Sequence, residues 1–241
     1  MSLDLFKFNL ASGSHANAAL GVCFMEAVAW MSREPHSDTP QCACPVLGQF
    51  GIRMNDRMND DERKSLNPLI IKMINTRSEA HEELRVAHLL RGLAREILPI
   101  VFDLRKLPEI SAILRAIPED ATRAQMVNPL QDVKKRADAA FDAAFDTPFG
   151  DASAPVFGDA FADAFATAFA TTFATAAAFK AADAVDAAAY GDARKRIMEV
   201  AVQLLSEAIE LGPHNGQEFY DMPAMTERIQ AFQQAALIVA K

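Results

Sequence analysis

Glycine is scarce in this chain, ten residues in 241. Nowhere do β-branched or aromatic residues alternate with polar ones over more than a few positions, so strands are not expected and helices are. Cysteine is scarcer still, with three residues, all between Cys23 and Cys44. That odd number, with no secretory signal in the opening MSLDLFKFNL, excludes a disulfide-stapled secreted fold and points to a reducing, cytoplasmic compartment. No apolar run is long enough to cross a bilayer. The longest uncharged stretch, Ala164 to Phe179, has sixteen residues diluted by threonine, against about 20 for a spanning helix. Signatures of catalysis are missing too. There is no P-loop, no G-x-G-x-x-G and no G-x-S-x-G, and His81 and His88 stand seven apart where a zinc-protease helix needs about four. The sequence therefore leans away from an enzyme.

What is present suits a packed chain of one large or two modest domains, 51% hydrophobic and 23% charged. The net charge of −8 argues against a protein that neutralises nucleic-acid phosphates. Its placement is uneven. Residues 137 to 190 hold eight aspartates, one lysine (Lys180), no glutamate and no arginine, which leaves the rest of the chain close to neutral. Two basic triplets, Lys134, Lys135, Arg136 and Arg194, Lys195, Arg196, bracket that stretch and read as solvated helix faces.

Apolar spacing predicts a first helix from a cap at Ser12 or Ser14 through Ala19, Cys23, Ala27 and Trp30, then a turn at EPHSDTP. A short second helix opens at Pro45, and a third piece begins near Asp60 and breaks at Asn67-Pro68. Ser78 caps the strongest pattern, with apolar residues at 84, 87, 90, 94, 97, 101 and 104 and a kink expected at Pro99. Pro108 and Pro118 open further helices. A long helical pattern runs from Asp159 to Leu211, interrupted at Gly191 and stopped by Gly212-Pro213, and a last one from Pro223 to Ala240.

The segment 137 to 190 also carries 23 alanines and nine of the sixteen phenylalanines, many of them four apart. Four residues advance a helix by roughly 400°, so successive rings step about 40° and the stripe wraps around the barrel. Residues 121 to 147 and 159 to 190 are expected to form an antiparallel hairpin. The fold predicted is all-α, a multi-helix bundle with an N-terminal helical domain (1 to 118) and an alanine-rich region (119 to 241) packed on it as one unit. Asp138, Asp142, Asp159, Phe161, Asp163, Phe165 and Phe169 make up its candidate contact surface, for self-association or a protein partner.

One constellation looks like chemistry. Cys23, His36, Cys42 and Cys44 have the donor types for tetrahedral zinc, with Glu26, Asp38 and His15 beside them to orient those ligands or to act as an acid/base. The C-x-C spacing is unconventional, and His15 would lie roughly 12 Å from Cys23 on a continuous helix. The plainer reading packs the cysteines as small apolar residues; a lowered-pKa thiol near His36 is a third. Glu26 could pair with Arg33 or cap the turn region.

The strings GSH, GVCFMEAVAW, EPHSDTPQCACPVLGQF, ND and NPLI resemble an uncharacterised group of bacterial and phage proteins with alanine-rich tails. The family-like positions are Gly13, His15, Cys23, Glu26, Ser37, Asp38, Pro40, Cys42 and Pro45, and the likeness ends after about Arg77. It implies a phage or mobile-element setting, in the host cytoplasm or the virion, and no activity. The function expected is a non-enzymatic interaction or assembly protein. The alternatives are a zinc-binding or metal-dependent protein using the Cys/His cluster, and an acidic inhibitor or DNA mimic.

Overall fold

A computed structural model describes residues 9–17, 20–104, 106–142, 187–214, 227, 230 and 231. Among them every regular element is helical and no strand occurs. No helix among the described residues is long and apolar enough to cross a membrane.

Helix α1 is Phe24–Ser32, and it starts later than Ser12 or Ser14 would place it. Its cap is Cys23. The thiol accepts the Glu26 N–H at 3.5 Å while the Glu26 carboxylate accepts the Cys23 N–H at 2.7 Å, a capping box with cysteine in the place of serine. The helix ends at Arg33, which takes a left-handed conformation (φ 67°). Helix α2, Pro45–Arg57, has its proline in the first turn, where a missing N–H costs nothing.

Asn59 and Glu62 form a second capping box that opens α3, Asp60–Arg63. A 3₁₀ turn, Lys64–Leu66, then leads into α4, Asn67–Met73. The break expected at Asn67-Pro68 is thus a change of helix type, because Pro68 falls in a first turn. Helix α5 is Glu79–Gly92, and a π-helical stretch, Leu93–Ile97, joins it to α6, Leu98–Leu104. This wide turn stands just ahead of Pro99, where a kink or an interruption is expected and which offers no N–H to the carbonyl of Arg95.

Helix α7 is Pro108–Arg115. Helix α8, Arg123–Asp142, begins not at Pro118 but after Thr122, whose hydroxyl accepts the Gln125 N–H while Gln125 accepts the Thr122 N–H. Helix α9, Ala187–Glu210, runs through Gly191 without interruption and stops before Gly212-Pro213, as expected. The expected hairpin and the expected helix from 223 to 240 fall largely outside the described residues.

The chain divides into two compact units that are not consecutive pieces of sequence. One comprises Met1–Arg85 with Val202–Lys241, the other Val86–Ala201. In the first, α1 packs on α2 and α4 around Phe24, Leu47, Phe50, Met54 and Ile70, all buried. Gly51 permits this approach: a Cβ there would stand 2.6 Å from the Phe24 ring. In the second unit, α7 packs on α6 and α8, and Leu90, Leu98, Phe102, Ile110, Leu114 and Met126 belong to one apolar cluster. Arg91 and Arg95 hold the α7–α8 turn of that unit by donating to the carbonyls of Ala121 and Ile117.

Candidate functional site

The late start of α1 decides the geometry of the Cys/His region. Because residues 9–17 are not helical, the chain can turn back, and His15 reaches Glu26 instead of lying a helix length from Cys23. The Glu26 carboxylate is 1% exposed. It accepts the His15 N–H at 2.6 Å, the Cys23 N–H at 2.7 Å and the His15 Nδ1 at 2.9 Å, and His36 Nε2 lies 3.6 Å away. Burial opposes its ionisation, but the backbone donors of His15 and Cys23 and the His15 ring outweigh it and hold the carboxyl below its ordinary value. The partners expected for Glu26 therefore change. Arg33 is the left-handed cap of α1, and the histidines take its place.

The tautomers follow from the acceptors. An ionised carboxylate can only accept, so His15 presents N–H at Nδ1. His36 Nε2 lies 2.8 Å from the His15 carbonyl and donates to it. Gly21 (φ +131°) lets the His15 ring settle, since a Cβ there would stand 2.9 Å from Cδ2 and Nε2.

Around this hub the polar groups bind backbone. Asn55, fully buried, accepts the Phe24 N–H at 3.3 Å and donates to the Ala11 carbonyl at 2.8 Å, and Asp56 accepts the Gly13 N–H at 2.8 Å. Glu34 accepts the N–H groups of Gln41 (2.5 Å) and Cys42 (2.7 Å), closing the EPHSDTPQC loop. Thr76 accepts the Cys44 N–H at 2.9 Å and donates to the Met73 carbonyl at 2.7 Å. Arg85, fully buried, donates to the carbonyls of Thr76, Ala208, Ile209 and Pro213, so its charge faces the negative end of α9.

The zinc candidates are distributed over different partners. Cys23 caps α1, Cys42 lies against Glu34, and Cys44 is buried at the start of α2 beside Thr76. Burial pushes the Cys23 thiol up to about 12, and burial also raises that of Cys42. Nucleophilic attack uses the thiolate, which burial disfavours at both positions. Among the described residues no group of three or more His, Cys, Asp or Glu side chains is placed to hold a metal ion. Asp38 is apart from the hub and lines a small open pocket with Met25, Pro40, Gln41, Gly48 and Arg77.

Of the candidate contact residues, Asp138 and Asp142 lie on the last turns of α8. Asp159, Phe161, Asp163, Phe165 and Phe169 are outside the described residues. The residues that sequence reasoning missed are Glu34, Asn55, Asp56, Thr76 and Arg85. The only signals for them were the Asn55-Asp56 pair at a helix end and an arginine beside a predicted apolar stripe. The chain matches no protein-family model, no curated protein and no solved structure.

Proposed function

We propose that this chain is a non-enzymatic interaction or assembly protein, with the acidic, phenylalanine-rich segment from 137 to 190 as its contact surface. The observation that supports this reading is the use to which the Cys/His region is put. Glu26, His15, His36 and Cys23, the groups with most chemical promise, are bonded to one another and to backbone in a way that fastens His15 to α1 and closes the helix's cap at Cys23. A site so engaged is a brace for the fold. The segment with the unusual composition is elsewhere: eight aspartates against one lysine, with nine phenylalanines, more aromatic surface than a solvated helix needs.

In this reading residues 121 to 147 and 159 to 190 pair as a helical hairpin whose phenylalanines face inward or toward a partner and whose aspartates keep the outer face wet. A phage or mobile-element setting in a bacterial cytoplasm belongs to the same reading and rests on the resemblance of the N-terminal region. Reversing charge at Asp138, Asp142, Asp159 and Asp163 to lysine tests it. The expected result in light scattering is loss of oligomers or of a bound partner, with helix content retained in circular dichroism. An unchanged assembly state would reject the segment as the contact surface.

A further inference from the structure

The two basic triplets are placed where they could receive such a segment. Lys134, Lys135 and Arg136 lie on α8, Arg194, Lys195 and Arg196 on α9, in the same compact unit, at the ends of the helices that lead into the acidic stretch. Lys135, Lys195 and Arg196 are exposed. Arg136 is also exposed but is engaged by Asp132 on its own helix at 2.8 Å, so it contributes less to anything that docks.

We propose that the exposed basic groups on α8 and α9, Lys135, Lys195 and Arg196 foremost, are the docking surface for the aspartate-rich segment of a second copy of this chain. The inference rests on the function proposed above and names the surface that its acidic segment meets. Three observations carry it. The signs are complementary, with basic triplets on both flanks of a segment that holds eight aspartates and one lysine. Lys135, Lys195 and Arg196 are exposed, which makes them accessible to another molecule. Finally, every copy carries both signs, so two copies related by a two-fold axis satisfy both contacts at once, the self-complementary arrangement of a closed dimer.

The test is the solution mass of the full chain by light scattering, across concentration and at about 0.05 and 1 M sodium chloride. The wild type is expected to dimerise at low salt and to dissociate at high salt. The triple variant Lys135→Glu, Lys195→Glu, Arg196→Glu is expected to dimerise about tenfold more weakly at low salt with an unchanged melting temperature, since all three side chains are exposed. Mixing it with the variant carrying lysine at Asp138, Asp142, Asp159 and Asp163 is expected to restore association as a mixed pair. A triple variant that dimerises like the wild type while the aspartate variant does not would overturn this docking surface and leave the proposed function standing. Dimers unaffected by either variant would overturn both. A wild type that is monomeric at low salt at every concentration would overturn the second copy as occupant.

Discussion

The two compact units are held together by different means. Seven polar or charged residues are buried among the described residues: Glu26, Asn55, Arg63, Asn67, Thr76, Arg85 and Ser111. All but Ser111 belong to the unit that contains Met1–Arg85. There the stretch before α1 and the connection from α1 to α2 are irregular chain, and they leave backbone N–H and C=O groups that helices do not satisfy. Buried side chains supply the partners: Glu26 for His15 and Cys23, Asn55 for Ala11 and Phe24, Thr76 for Cys44. In the unit Val86–Ala201, α6, α7 and α8 pack through one apolar cluster, beside which Ser111 is the buried polar residue among those described. Irregular chain is thus stabilised by polar bonds in the interior, and regular chain by apolar burial. The two should respond differently to the same kinds of substitution.

The largest effect is expected at the polar hub. Glu26→Ala removes the acceptor of three N–H groups and leaves them buried, a loss of about 4 kcal/mol in urea unfolding. Arg85→Met leaves four carbonyls short of a donor and should lose about 3 kcal/mol. In the apolar unit the comparable change is Leu114→Ala, at about 3 kcal/mol, from a cavity with no polar consequence. Ser111→Ala, which removes a 3.2 Å bond to the Pro99 carbonyl, should lose only about 1 kcal/mol. If Ser111→Ala proved as damaging as Glu26→Ala, the contrast between the units would be wrong.

Acid sharpens the same contrast at smaller amplitude. The folded-state pKa of Glu26 is depressed, so its contribution is complete above the ordinary carboxyl pKa of about 4.3 and is lost as pH falls through the lower folded value. Glu34 behaves likewise. Burial opposes its ionisation, but the Cys42 side chain and the N–H groups of Gln41 and Cys42 outweigh it. Unfolding followed from pH 7 down to about pH 2 should therefore show a loss of stability below pH 4 that is reduced in Glu26→Gln. A Glu26→Gln profile parallel to that of the wild type would mean that the carboxylate is not the group being titrated.

How far the sequence reveals this depends on whether the determinants are local. The starts of α2 and α7 at Pro45 and Pro108, the end of α9 before Gly212-Pro213 and the disturbance ahead of Pro99 depend on neighbours in sequence, and were legible. The start of α1 was not, because the rule for caps favours Ser12 and Ser14 over Cys23, although Glu26 stands three residues after Cys23 as a capping box requires. The gathering of His15, His36 and Cys23 about one spot was visible as a density of reactive residues, but its centre was not. Composition allows a metal beside the plainer reading of packed cysteines. The structure puts a carboxylate there, and a carboxylate that collects N–H donors differs from a ligand shell only in geometry, which spacing does not encode. Asn55 and Thr76 bond residues 31 and 32 positions away in sequence, so no local pattern marks them.

Positions 84 and 85 invert the usual rule and yield the smallest predicted effect. Leu84 begins the apolar stripe of α5, yet it is 47% exposed, while its neighbour Arg85 is 0% exposed. The stripe is correct farther along, where Ala87, Leu90, Ala94, Ile97 and Val101 are buried. At the first turns the helix faces the end of α9, whose last carbonyls require a donor, and there a guanidinium does what leucine cannot. Leu84→Ser should therefore change stability by no more than about 0.5 kcal/mol, as at an exposed site. Chemical denaturation of this variant beside Arg85→Met gives the comparison directly. A loss near 2 kcal/mol for Leu84→Ser would mean that Leu84 is covered in solution and that the apolar stripe extends one turn farther than the structure gives it.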